Sequence, residues 1–191
     1  MTDDTGIFQH AIYTIPNLDH GYCTDDNARA LIVSTHLAEL ELGNGDALTL
    51  ASRYLAFIGY AFNHETGRFR NFMAYQRHWL EESGSDDSHG RTLWALGTVL
   101  GRSNTPALQS MAGWLFEQAL PAILETTSPR AWARAAANCC TPIVWGTTNV
   151  PIWPGPTLRK RSARVRICVP PCCGRANSTL ISASLPIRPR C

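Results

Sequence analysis

The 191-residue sequence predicts an all-α fold of antiparallel helical hairpins, followed by an irregular tail rich in proline, cysteine and arginine. Three observations predict it. Apolar residues recur at helical intervals in four successive segments, the signature of helices buried on one face. Short connections ("GNG", "SNTP") alternate with long ones, as in a run of hairpins. The composition also changes abruptly after Glu125, the last acidic residue of the chain.

The first helix is expected from Asp26 to Leu42, with Leu31, Ile32, Val33, Leu37, Ala38 and Leu40 apolar and Gly43 as its C-cap. Asp46 can cap the second, whose stripe is Leu50, Tyr54, Ile58 and Phe62. The third runs from about Ser88 to Gly101, with Leu93, Trp94, Leu96, Val99 and Leu100 apolar. "NTPA" opens the fourth, with Pro106 in the first turn, where a missing N–H costs nothing. Its stripe is Leu108, Met111, Leu115 and Ala119, and "SPRAW" begins a fifth helix. The segment "GRFRNFMAYQRHWLEE" between helices two and three is long and rich in aromatic and basic residues, and loops of that length are often functional. The charge-poor first and third helices suit an inner layer, the second and fourth an outer one.

The net charge of +2 hides a division: residues 1–125 carry −8, and the remainder carries +10 with no acid at all. Six of the seven cysteines and nine of the twelve prolines lie in that remainder, whereas all six histidines precede it. A basic arm for nucleic acid is one reading. A zinc or disulfide module is another, but the Cys-Cys pairs lack chelating C-x-x-C spacing. A third reading is translation out of frame. Asn138-Cys139-Cys140-Thr141 is encoded AAY-TGY-TGY-ACN, which read from the third base gives Leu-Leu followed by His or Tyr. Pro170 to Gly174 in that same frame also becomes ordinary helix sequence. The expectation is therefore a frameshift at or soon after residues 128–133, dividing the chain into a partial domain at 1–133 and a tail at 134–191. Resequencing tests it: an intact frame through residue 191, shared with close relatives, would refute it.

Asp-Asp occurs three times, as Asp3-Asp4, Asp25-Asp26 and Asp86-Asp87, each between hydroxyl or amide side chains. The second and third pairs run on to Arg29 and Leu31, and to Arg91 and Leu93, a weak repeat of a helix start. Capping accounts for one carboxylate per helix, worth about 0.5–2 kcal/mol. It does not account for two, nor for the neighbours. Around the second pair lie His20, Tyr22, Asn27 and Arg29; around the third lie Trp79, Glu81, Glu82, His89 and Arg91. With both helices in the inner layer, these groups gather at one end of the domain. Aromatic faces, guanidiniums and an acid with a base are what a sugar-processing site needs.

His10, His36 and His64 stand alone and read as structural or surface residues. Asp19, His20, Asp25 and Asp26 could hold a metal, but no helical H-x-x-x-H supports one, and no metal is expected. Cys23 reads as a small buried residue rather than a nucleophile. The sequence has no G-x-G-x-x-G, P-loop or G-x-S-x-G, and no cofactor is expected. It lacks a run of about 18 apolar residues and a secretory-type leader, so no membrane partner is expected and the expected location is the cytoplasm; with the basic tail read as out of frame, no nucleic-acid partner is expected either.

"MTDDTGIFQHAIYTIPNLDHGYCTDDNARALI" and "FRNFMAYQRHWLEESGSDDSHGRTLWALG" together resemble an α-helical region of bacterial carbohydrate-processing proteins, similar to the six-hairpin glycosidase-like (α/α)6 toroids. In some of these proteins the region follows a group 1 glycosyltransferase domain, a possible partner in a parent protein. The resemblance covers roughly residues 1–133 and implies closure into a toroid with its active end at the inner-helix N-termini. Only two hairpins and one further helix are present where the toroid needs six hairpins, so an inactive N-terminal fragment is expected. On this reading Asp26 and one of Asp86 or Asp87 supply the acid and base for a carbohydrate substrate. Tyr22 and Trp79 stack sugar, and His20, Asp25, Asn27, Arg29, His89 and Arg91 bind or orient it. Two other readings stay open: a non-catalytic sugar-binding module serving a glycosyltransferase, and a sugar isomerase or epimerase using His20 or His89 to carry protons.

Overall fold

The computed structural model describes residues 1–42 and 45–137, together with the backbone of 163–165 and 181–183. Five helices dominate: α1 (Thr24–Glu39), α2 (Asp46–Ala61), α3 (Asp86–Arg102), α4 (Pro106–Ile123) and α5 (Pro129–Ala136). The helical expectation thus holds, with one qualification: short strands interleave with the helices. β1 (Ala11–Ile12) pairs with β2 (Ile15–Pro16), β3 (Tyr22–Cys23) with β6 (Phe72–Met73), and β4 (Phe62–Asn63) with β5 (Arg68–Phe69). Each strand has two residues, too few to show a two-residue period in the sequence. The long segment before α3 is therefore structured, and it ties back to the entry of α1 through β6.

The helices form two layers. α3 packs between α1 and α5, while α2 backs α1 and α4 backs α3. Leu31 of α1 and Leu93, Leu96 and Val99 of α3 are fully buried, facing Leu55 and Ile58 of α2 and Leu115 and Ala119 of α4 in one core. Tyr54, Ile58 and Phe62 are buried as the stripe of the second helix requires. In the first helix the expectation fails at Val33, which is mostly exposed, and at the end, since α1 stops at Glu39 and leaves Leu40 and Leu42 beyond it and exposed; Ser34 and Thr35 are buried, each hydroxyl satisfied by donating to a carbonyl of the preceding turn. Phe8, Tyr22, Phe57 and Met73 form a second apolar cluster, with Trp79 packed against it.

The helix starts are not capped by aspartate. Cys23 occupies the N-cap of α1 without a side-chain bond, and the amide of Asp25 instead donates to Asn71 Oδ1 at 3.1 Å. Ser85 caps α3 by accepting from the Ser88 amide. Gly45 precedes α2, leaving Asp46 inside its first turn. Asp3 does accept two amides, from Thr5 and Gly6, but it closes a turn and not a helix. Pro106 and Pro129 sit in the first turns of α4 and α5, as expected. The proposed C-cap at Gly43 falls outside the described residues.

β7 (Ala163–Val165) and β8 (Ile181–Ala183) pair antiparallel within a separate unit, Pro154–Cys191. The rest of the 134–191 tail, including every cysteine in it, and with it the out-of-frame reading, lies outside the described residues apart from 134–137 at the end of α5. Among the described residues, no helix is long and apolar enough to cross a membrane.

Candidate functional site

The first turns of α1 and α3 meet at one end of the layer these two helices form, and α5 brings two arginines onto them. The centre is Arg91 of α3. Its Nε stands 2.8 Å from Asp25 Oδ1 of α1, at ion-pair distance but off the line of a hydrogen bond. Its Nη2 lies 3.3 Å from Asp87 Oδ2, one turn back on its own helix. Arg134 of α5 closes on Asp87 Oδ1 at 2.6 Å and also donates to the Asp87 carbonyl. Arg130 approaches the same carboxylate at 3.9 Å. On the far flank Arg29 bridges Asp25 and Asp26, at 2.7 Å and 2.9 Å.

Of the doubled aspartates, then, Asp25 and Asp87 share one guanidinium. Among the described residues the Asp26 carboxylate pairs with Arg29, on its own helix, and Asp86 turns away to Arg68 of β5 at 2.7 Å. The helix begins at Thr24, two residues earlier than expected, and that register decides which carboxylate faces α3.

The two central carboxylates are driven in opposite directions. Burial raises the Asp25 pKa above the ordinary aspartate value, in spite of Arg91 and Arg29. The hydrogen bond from Arg134, with Arg130 and Arg91 behind it, holds that of Asp87 below it. The two acids thus differ in proton affinity, one requirement of an acid–base pair.

The other expected residues are placed as follows. Tyr22 is fully buried, stacked on Phe8 at 5.0 Å, and donates its hydroxyl to Asp3; burial pushes its pKa up to about 12. Asn27 is also fully buried, accepting from the Ile7 amide and donating to the Cys23 carbonyl. Trp79 packs against Phe57 and Tyr60, with the Arg70 guanidinium 6.0 Å from its ring. His20 sits against His10, ring centroids 4.3 Å apart. His89 lies in the core, its Nε2 donating to the Ala119 carbonyl at 3.1 Å, and burial lowers its pKa to about 4. The structure thus brings together Asp25, Arg29, Arg91 and Asp87, with Asp26 at the edge. Tyr22, Asn27, Trp79, His20, His89 and Asp86 make contacts elsewhere. Cys23 is buried, its thiol pushed up to about 11 by desolvation and donating to Asn71, which suits a packed residue rather than a nucleophile.

Three participants escaped the sequence reading. Arg130 and Arg134 stand four apart on a helix without acids, so their partners had to come from another element; that spacing was the available signal. Asn71 had none. Its Oδ1 accepts from the Asp25 amide, the Ser88 hydroxyl and the Cys23 thiol, joining both helix starts from within the connecting segment. Glu81 fixes Asn71 in turn by accepting from its backbone amide.

Among the described residues, no group of three or more His, Cys, Asp or Glu side chains is placed to hold a metal ion. The sequence matches no protein-family model, and no curated protein matches it.

Proposed function

We propose that this chain carries part of a carbohydrate-active (α/α) toroid whose working end is the Asp25–Arg91–Asp87 cluster. One observation carries the reading: two carboxylates on neighbouring inner helices share a guanidinium while their proton affinities are pushed apart. In a glycan-cleaving site Asp25, the more readily protonated, serves as general acid toward the leaving oxygen, and Asp87 stays ionised as base or nucleophile. Arg91 keeps the two in register and takes sugar hydroxyls. Closure into a toroid is supported by the two-layer order, with the N-termini of α1, α3 and α5 gathered at one end.

A second reading has an observation of its own. Every aspartate at the two helix starts is ion-paired with an arginine. Carboxylates held in this way bind hydroxyls well and release protons poorly, which suits a non-catalytic sugar-binding module attached to a glycosyltransferase.

Binding of tetrasaccharides is measured on the full chain, and turnover of aryl glycosides and tetrasaccharides on an intact-length relative, each with Asn in place of Asp25 and of Asp87 or their counterparts. The enzyme reading expects turnover by the relative that falls by about 10²–10⁴-fold when Asp25 is replaced while binding persists. The module reading expects binding without turnover, weakened in both variants. No glycan bound by the unmodified chain and none cleaved by the relative refutes both.

A further inference from the structure

Nine arginines lie among the described residues, and eight of them are ion-paired with an aspartate or glutamate. The ninth, Arg53 of α2, has no such partner among those residues. No acidic side chain elsewhere in the chain can supply one, because all fifteen lie at or before Glu125 and within the described residues. Arg53 lines a groove of about 510 Å³ together with Ala56 and Tyr60 of the same helix and with Asp4 and Arg77. The buried side chains of Phe57 and Met73 also line it, so apolar surface adjoins the charges. Arg77 pairs with Asp4 at 2.8 Å, but 56 % and 78 % of the two side chains are exposed, and water screens such a pair. Two guanidiniums thus share the groove with one carboxylate, leaving one net positive charge. Arg77 also holds φ at +66°, a conformation that glycine adopts freely and other residues do not. Glycine would serve that turn with less strain, so the reason for an arginine there lies in its side chain. Tyr60 has one ring neighbour in Trp79, at 5.5 Å, and is otherwise 61 % exposed.

We infer that this groove is a binding site for a small organic acid, its carboxylate taken by Arg53 and Arg77 and its ring laid against Tyr60. A guanidinium presents a planar fork of donors that matches a carboxylate. One net charge suits a monoanion; a phosphate dianion would crowd Asp4 or have to displace it from Arg77. The groove has the size of a small-ligand site, which spans roughly 300–1,000 Å³. Aromatic acids and sugar acids share the feature recognised, a carboxylate on a ring. The groove has no residue in common with the Asp25–Arg91–Asp87 cluster, and the inference does not rest on the carbohydrate reading.

The test is calorimetric titration of the full chain with benzoate, galacturonate, acetate and inorganic phosphate at low salt. One of the two ring acids is expected to bind more tightly than acetate or phosphate; benzoate in front identifies an aromatic acid, galacturonate a sugar acid. Arg53→Gln is expected to weaken the better ring acid about tenfold, and Arg53→Lys, which keeps the charge without the fork, about threefold. Arg77→Gly should weaken it as Arg53→Gln does without lowering the thermal midpoint, because glycine relaxes the turn. Arg53→Gln, on an exposed stripe of α2, carries the test if Arg77→Gly does not fold. Asp4→Asn should tighten binding by releasing Arg77, and Asp87→Asn should leave it unchanged. Full affinity in Arg53→Gln, or no binding of either ring acid to the unmodified chain, overturns the site. Phosphate bound more tightly than both ring acids overturns the carboxylate assignment. The proposed function stands or falls separately, on the Asp25 and Asp87 variants.

Discussion

His89 is held in the core with one ring nitrogen donating to the Ala119 carbonyl and the other, Nδ1, buried without a partner. A second proton would have to go on Nδ1, where nothing accepts it and where Arg68 adds repulsion to the cost of burial. The folded-state pKa of about 4 lies below the ordinary value of 6.5. The unfolded chain therefore binds the proton more readily, and the sign follows. Stability from this residue is complete above about pH 6.5 and is lost as the pH falls toward about 4, amounting to roughly 3 kcal/mol at full loss. Asp25, with its raised pKa, works in the opposite sense. Urea midpoints measured between about pH 7 and about pH 4.5 should fall steeply for the unmodified chain. They should fall much less for His89→Gln, whose amide can still donate to the carbonyl but cannot charge. Equal slopes for the two proteins would show that His89 does not set the acid sensitivity.

At the level of elements, the contact between α3 and α5 depends on a missing side chain. A Cβ added at Gly90 would meet Ala131 backbone atoms at 2.7 Å and 2.9 Å, so the helices touch backbone to backbone there. Gly90→Ala must push α5 outward, and with it Arg134 away from Asp87. A loss of about 1–3 kcal/mol is expected, with faster amide exchange concentrated in α5. Gly113→Ala is the control, because its Cβ would meet only the Leu100 side chain at 3.4 Å. That change should be neutral or stabilise by up to about 1 kcal/mol from helix propensity. If Gly90→Ala left exchange in α5 unchanged, the close approach would not be what docks it. The helices themselves were legible in the sequence because their buried stripes repeat over three or more turns, as at Tyr54, Ile58 and Phe62. Their starts were legible where a proline marks the first turn, as Pro106 and Pro129 do, whereas α3, expected from about Ser88, starts at Asp86 behind the Ser85 cap. The start of α1 was not legible, since its partner is Asn71, 46 residues away from Asp25 in sequence.

For the whole molecule, the repeated aspartates foretold that the starts of α1 and α3 meet, but not which carboxylates would share Arg91. Asp25 and Asp26 point about 100° apart on a helix, and only the register of α1 against α3 selects the first. The spacing of Arg130 and Arg134 marked them as needing an outside partner but could not name it, because Asp87 lies on the preceding hairpin. The structure also makes the two ends of the α1–α3 pair unequal. At the site end, Arg91 and Arg134 are only 12 % and 19 % exposed around Asp25 and Asp87. At the opposite end Arg102 meets Glu39 with 51 % and 31 % of the side chains exposed. Partly desolvated, multiply bonded pairs couple more strongly than exposed ones, which salt and water screen. A double-mutant cycle on Asp87→Asn and Arg134→Met should therefore give a coupling of about 1 kcal/mol after allowing for the exposure of Asp87. It should persist largely intact in high salt. The matching cycle on Glu39→Gln and Arg102→Met should give no coupling beyond error at the same salt. The layer would then be clamped where the carboxylates are and free to breathe at the far end, which keeps the spacing of Asp25 and Asp87 constant. Stronger coupling at the Glu39 end would reverse that assignment and place the rigid anchor away from the site.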